Sequence, residues 1–294
     1  MRFSNARIDA FIEEDVPYID LTCEVLGVHN QPGEMEYFTR ESCVLAGTDI
    51  ARRIMRNLGC EVLASSEDGQ LVSAGQTFFT VRGAAADLHA AWKVCLNVFD
   101  HLSAVATKTR SMVDAVHAVN PECEVLTTRK SMPGAKDLLT CAVMAGGAFP
   151  HRLGLSETVL VFEQHLAFFG GFNRFVEEMP RIKARCVEKK LFVKADAQRA
   201  LALARASSDG HGVDGIQLDK VPVSELAELV RRIREIDPRI TIIAAGGINP
   251  QNAGAYAACG VDGLATTAPF TAKPVDMSVR MRPLEQTSVK MFPS

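Results

Sequence analysis

From about residue 120 onward, short β-branched runs alternate with stretches of helical periodicity, and this alternation limits the fold more than any other feature of the chain. The runs 124–129 (EVLTTR), 158–162 (TVLVF), 191–195 (LFVKA), 215–218 (GIQL), 240–245 (ITIIAA) and 262–267 (DGLATT) read as strands. Between two of them, Val223, Leu226, Leu229, Val230 and Ile233 recur at helical spacing behind Pro222, with Ser224 near the start, which predicts a helix over 223–236. Apolar strands separated by helices form parallel βα units, either as a doubly wound sheet or as an α/β barrel. In a barrel, chemistry collects at the C-terminal ends of the strands. Those ends here carry Arg129, Lys130, Lys194, Asp219 and the turn AAGGIN at 244–249, polar residues that packing does not need, and they favour the barrel.

The first 110 residues follow another pattern. Strands are expected at 36–45, 60–65 and 75–83 (GQTFFTVRG), with a helix from Thr48 as N-cap to Gly59 just past its end. A long helix over 84–119, with Ser103 as its expected break, leads into the barrel. The predicted organisation is an N-terminal α+β sandwich domain at 1–110 and an α/β barrel at 111–274. There is no internal repeat and no low-complexity linker.

A chain of 294 residues, 47% hydrophobic and 23% charged, can bury the core this plan requires. Its net charge of -3 gives no general affinity for polyanions, so nucleic acid is not an expected partner and any anion site is local. The 8 cysteines stand singly, without the close pairs of a structural zinc site, and Cys95, Cys141 and Cys259 lie in apolar runs. That usage fits reduced thiols and the cytoplasm. The N-terminus has no apolar leader, and no window reaches the roughly 18–20 apolar residues of a membrane span, so no membrane partner is expected.

Four clusters can carry chemistry. In TTRKSMPG (127–134), Arg129 offers a planar fork and Lys130 a point charge, a combination suited to carboxylate or phosphate; the alternative is a pair of exposed loop charges. In GGAFPHRLGLSE (146–157), His151 and Arg152 add a cation and a group that titrates near neutrality, though a lone histidine is often structural. GIQLDK (215–220) places Asp219 and Lys220 at a strand end, where the acid suits ribose hydroxyls or a Mg²⁺ shell, or caps the helix after it. AAGGINPQN (244–252) puts Gly246 and Gly247 between a strand and a helix, a geometry that cradles phosphate.

These segments, together with LNVFDHLSAVATKT (96–109) and DVPYIDLTCEVLG (15–27), resemble the quinolinate phosphoribosyltransferases, and the resemblance covers nearly the whole chain. HRLGLSETVLVFEQH (151–165) and TTAPFTAKPVDMSVRM (266–281) are similar to its ModD branch, a group associated with molybdenum transport. The resemblance implies an open α/β barrel of the type II phosphoribosyltransferase kind. It also implies a C-terminal segment, about 275–294, that returns to the N-terminal domain. The implied assembly is a homodimer with the site at the subunit interface. The implied reaction transfers phosphoribosyl from phosphoribosyl diphosphate to quinolinate or a related heterocycle, with Mg²⁺.

By the same resemblance, Lys130 and Asp219 are the catalytic positions, and Asp219 meets the metal through water. Arg129, His151, Arg152, Gly246, Gly247 and Thr267 bind acceptor carboxylates or phosphates. Several positions depart from the family pattern. The family's active-site lysine is Phe162, with His165 kept two residues beyond Glu163. The arginine that reaches into the partner's site is Lys93, after Trp92. A glutamate is Lys194, the serine before Gly-Gly is Ala245, and the asparagine after the aspartate is Lys220. A dicarboxylate deprived of its buried cation loses a partner it needs on leaving water. The expectation is a retained phosphoribosyl half and an acceptor half rebuilt around the flat ring of Phe162. The alternative, of another class, is a non-catalytic protein that holds molybdate or a related oxyanion.

Overall fold

The central strands of the expected barrel, at 191–195, 215–219, 241–245 and 263–266, are buried on both faces, and this is what makes their sequences continuous apolar runs. The computed structural model describes residues 3–284. In chain order the elements are α1 (Asn5–Asp15), α2 (Leu21–Leu26), β1 (Pro32–Thr39), β2 (Cys43–Val44), α3 (Thr48–Asn57), β3 (Glu61–Ser65), β4 (Leu71–Val72), β5 (Thr77–Ala84) and α4 (Ala85–His117). They are followed by β6 (Glu124–Thr127), α5 (Lys136–Ala145), β7 (Phe149–Pro150), β8 (Val159–Val161), α6 (Glu163–Phe169), α7 (Phe172–Ala184), β9 (Leu191–Ala195) and α8 (Ala197–Ser207). The last are β10 (Gly215–Asp219), α9 (Val223–Ile236), β11 (Thr241–Ala245), α10 (Ala253–Ala257), β12 (Gly263–Thr266) and β13 (Met277–Pro283). No helix among the described residues is long and apolar enough to cross a membrane.

The chain divides into two units, one holding residues up to 107, 134–146 and 272 onward, the other 108–133 and 147–271. The first is an α+β unit. Its sheet has the order β13-β1-β5-β3 and is antiparallel throughout. Phe99 on α4 packs on Tyr37, Phe78 and Phe79 with ring centroids 5.0–5.6 Å apart, and the Tyr37 hydroxyl donates to the carbonyl of Trp92 at 3.3 Å. Edge-on aromatic contacts of this kind add about 0.5–1.5 kcal/mol each to the burial itself. On the central strand, buried Glu34 lies opposite Arg82 of β5 and Arg282 of β13 and pairs with both, so the last strand is tied to β1 by charge as well as by its ladder. Arg282 and Arg82 hold the Glu34 carboxyl below the usual range. Residues 285–294 of the expected returning tail lie outside the described residues.

Several local expectations are corrected here. The run 36–45 is not one strand; it breaks into β1 and the two-residue β2, which pairs with β4 in a separate ribbon. Thr48 is not the N-cap of α3. Gly47 (φ 102°) takes that place, and the backbone N–H and hydroxyl of Thr48 both donate to Asp68 Oδ1, at 2.9 and 2.8 Å. Nor does α4 break at Ser103, because the Ser103 hydroxyl is buried and accepts from the N–H of Ala46 at 3.1 Å. A side chain with a partner outside its own helix has no reason to compete for the helix backbone.

The second unit contains a seven-stranded sheet in the order β7-β6-β12-β11-β10-β9-β8, with every pairing parallel. Leu160, Phe192, Ile243, Ala245 and Ala265 form a buried cluster on its inner face, with Leu126 and Phe162 packed against it. Gly215 stands opposite Phe192 in the register, and a β-carbon there would lie 2.1 Å from the Phe192 ring. Absence of a side chain on β10 is therefore what lets a large ring fill the curve of the sheet.

In the first unit, Asp100 on α4 has a buried Oδ1 without a hydrogen-bond partner, and the main-chain carbonyl of Asp100 accepts from Val275 at 3.1 Å. Burial, with the Asp276 carboxylate adding repulsion, pushes its carboxyl up from 3.8 to about 7. Between these values the folded chain keeps a proton that the unfolded chain has released, so unfolding free energy falls as pH rises through that window. The stability difference between Asp100→Asn and the wild type is expected to grow in favour of the variant from pH 4 to 7 and to level off above it, as measured by urea unfolding.

Candidate functional site

Strand geometry builds the site by simple alternation. Because side chains switch faces at every residue, Phe192 and Lys194 share one face of β9, as do Gln217 and Asp219 on β10, and Ile243 and Ala245 on β11. That face is apolar deep in the sheet and becomes charged only at the C-terminal ends. The parallel register sets Gln217 beside Lys194, Asp219 beside Ala245, and Ala245 beside Ala265, which aligns these ends in one row. Above the row lies a cavity of about 770 Å³.

The structure brings Arg129, Lys130, His151, Arg152, Phe162, Lys194, Asp219, Lys220, Gly246, Gly247 and Thr267 to the wall of this cavity. It does not bring Lys93 there. Lys93 lies in the first unit, on α4, with its ammonium 4.9 Å from the centre of the Trp92 ring. Among the described residues Arg129, Lys130 and Lys220 pair with no carboxylate, so the cavity presents unneutralised positive charge.

Arg152 is 8% exposed and donates to the carbonyl of Thr158 at 3.3 Å. Burial and then the neighbouring Arg129 guanidinium lower its pKa from the ordinary arginine value. His151 is held by its main-chain N–H, which donates to Thr127 at 2.8 Å, while its Nε2 is buried without a partner. Burial first, and Arg152 second, lower its pKa from the ordinary histidine value, which favours the neutral ring. A neutral imidazole with an orphaned nitrogen in a cavity wall can take one hydrogen bond from, or give one to, a bound molecule.

Asp219 does not cap α9, which begins at Val223 behind Pro222. Its Oδ2 lies 2.9 Å from Lys194 Nζ instead. The Lys194 ammonium and the Arg152 guanidinium both stand near the Phe162 ring, at 6.0 and 5.7 Å from its centre. His165 lies apart from the cavity wall; its Nδ1 accepts the N–H of Phe162 at 2.9 Å and so closes the first turn of α6. Lys220 has φ 56°, a left-handed conformation unusual for a residue with a β-carbon. The backbone of Lys220 donates to the Ala245 carbonyl at 2.8 Å, and Gly246 (φ 97°) lies so close that a β-carbon would fall 2.6 Å from Lys220 Cγ. Asn249 and Asn252 side-chain amides donate to the Gly247 carbonyl at 3.2 and 3.1 Å and fix the turn.

Gln217 is a wall residue that the strand-end reading passed over, although counting back two from Asp219 finds it. Mg²⁺ prefers near-octahedral oxygen ligands and usually uses one or two carboxylates together with substrate phosphates. Among the described residues Asp219 is the sole carboxylate in the cavity wall, and it is already paired with Lys194. One carboxylate already paired with an ammonium is a poor fit to a Mg²⁺ ion. Elsewhere, Asp20, Cys23 and His89 cluster, but the Asp20 Oδ1 caps α2 through Thr22 and Cys23, and His89 Nδ1 sits 2.6 Å from the carbonyl of Ala85. Their polar atoms are thus employed locally.

Comparison with known proteins agrees with this arrangement. Residues 20–103 match the family described as Quinolinate phosphoribosyl transferase, N-terminal domain, and residues 105–280 match its C-terminal domain. The chain is 33% identical over 277 residues to a pyrophosphorylase ModD of Pasteurella multocida, covering 94% of this chain and 97% of that one. It is 32% identical over 262 residues to the nicotinate-nucleotide pyrophosphorylase [carboxylating] of Mycobacterium leprae, covering 87% and 89% of the two chains. The fold superposes on NadC from Streptococcus pyogenes with a TM-score of 0.85 at 23% identity, covering 97% of this chain and all of that one. The chain belongs to the quinolinate phosphoribosyltransferase family, and with it to the pentosyltransferases.

Proposed function

We propose that this protein transfers the phosphoribosyl group of phosphoribosyl diphosphate to a ring nitrogen of a heterocyclic acceptor that is not quinolinate. The observation that carries the reading is the cationic row at the strand ends, facing a cavity to which the described residues add a single carboxylate. As the bond from the ribose to diphosphate breaks, negative charge grows on the leaving group and positive charge on the sugar. Fixed cations and a nearby acid act on those charges without reorganising. Lys130, Lys220 and Arg129 serve the diphosphate, the Gly246–Gly247 turn with Thr267 serves the 5′-phosphate, and Asp219 faces the sugar. His151, Arg152 and Phe162 form the acceptor side.

On that side an apolar ring stands where the family pattern has a cation. A flat heterocycle with fewer carboxylates than quinolinate fits it, stacked on Phe162 and hydrogen-bonded by neutral His151. A homodimer is part of the proposal. Tyr18, Leu21, Val25 and Leu26 are each more than 60% exposed on and beside α2, an apolar patch that a second copy would cover. A link to molybdenum handling follows the ModD relatives alone and is tested by the same acceptor panel with molybdate included.

Diphosphate release from phosphoribosyl diphosphate is expected with at least one acceptor in a panel of pyridines and purine-like heterocycles. Binding of molybdate without binding of the donor would replace this reading by an oxyanion-binding one. Lys130→Ala and Arg152→Ala are each expected to lower kcat/KM by about 10²–10³, the scale for removing one fixed group that stabilises transition-state charge. Phe162→Lys is expected to raise affinity for quinolinate by about tenfold or more, read by calorimetry, because a charged hydrogen bond is worth about 1.5–3 kcal/mol.

A further inference from the structure

The pairing of Lys194 with Asp219 points to a donor site that works without a metal. We infer that this protein binds the diphosphate of its donor with side-chain cations alone, the Lys194 ammonium taking the place beside Asp219 that a divalent cation would need. The inference rests on the phosphoribosyltransferase reading and deepens it.

A metal that bridges a carboxylate and a substrate phosphate must reach the carboxylate first. Asp219 is the only carboxylate that the described residues give the cavity wall, and its Oδ2 is 2.9 Å from Lys194 Nζ. A divalent cation at that oxygen would stand against an ammonium at a few ångström, a repulsion that the partly dry cavity does little to screen. The backbone of Lys194 is fixed in β9, beside this carboxylate. The side chain lies on the inward face of β9, flanked in the register by Gln217, with the Phe162 ring centre 6.0 Å from Nζ and 5.7 Å from the Arg152 guanidinium. The rest of the wall repeats the message, since Arg129, Lys130 and Lys220 add positive charge without any carboxylate to offset it. A bare divalent cation is repelled from such a cavity, whereas a diphosphate finds its charge matched.

The chemistry balances without a metal. The bond between the anomeric carbon and the diphosphate oxygen breaks with its electron pair going to that oxygen, and the lone pair of the acceptor nitrogen forms the new bond to carbon. Diphosphate departs as an anion held by ammonium and guanidinium donors, each able to give more than one hydrogen bond. Lys194 has a second part in this scheme: its ion pair orients the Asp219 carboxylate beside the sugar.

The test is calorimetric titration of the full-length protein with phosphoribosyl diphosphate, once with millimolar Mg²⁺ and once with EDTA. The two dissociation constants are expected to agree within about threefold. Lys194→Glu supplies a second carboxylate and removes the cation, and its donor affinity in EDTA is expected to fall by about 100-fold and to recover in part on adding Mg²⁺. Lys194→Met, which keeps the volume and drops the charge, covers the case in which the glutamate variant does not fold and is expected to lose affinity in EDTA by about tenfold. Mn²⁺ added without donor is expected to give the paramagnetic resonance signal of the free aqueous ion. Wild-type affinity that drops by about 30-fold or more in EDTA overturns the inference and leaves the phosphoribosyltransferase reading standing. Failure to bind the donor under either condition overturns both.

Discussion

The two-residue period of the strands governs both the stability and the chemistry of this protein. On β9 and β10 the inward face is uncharged deep in the sheet and carries a charge at the strand end, and the change comes within a single step of the period, from Phe192 to Lys194 and from Gln217 to Asp219. One period deeper, on the same face, a lysine would be stripped of water without a partner. One residue higher, it would no longer reach the cavity. The same ladder that stacks Leu160, Phe192 and Ile243 into a core therefore fixes the height of the cations above it.

This also explains which parts of the site were legible in the sequence. Arg129, Lys130, Lys194 and Asp219 stood out because each ends an apolar run, and a charged residue in that place has no packing task. Their meeting in one cavity follows from parallel topology, which the βα alternation predicted. The pairing of Lys194 with Asp219 was hidden, because it depends on register: Lys194 sits beside Gln217, and the ammonium must reach one period further along β10. The left-handed backbone of Lys220 had no signal either, since its cause is the close approach of Gly246 from the neighbouring strand.

The failures in the first unit have a common cause. Thr48 looked like a cap and Ser103 like a break because short polar side chains usually serve the nearest backbone. Here Thr48 is served by Asp68, and Ser103 serves Ala46, partners that local sequence does not reveal. By contrast, helix 223–236 and strand 191–195 matched their expected ends, since an amphipathic stripe and an apolar run are properties of the segment itself.

Between Pro133 and Gly147 the chain leaves the unit that holds the cavity, and the helix α5 carried on that stretch is counted with the other unit, where Arg7 pairs with Asp137 and donates to the Gly134 carbonyl. The motif of Arg129 and Lys130 precedes this excursion, and that of His151 and Arg152 follows it. Neither unit is thus an unbroken length of polypeptide. A cut in the gene at any single point cannot release the cavity-bearing part whole, and recombination can exchange its two basic motifs together only by carrying α5 along with them. The spacing of the motifs is inherited as one block, whatever the acceptor side becomes.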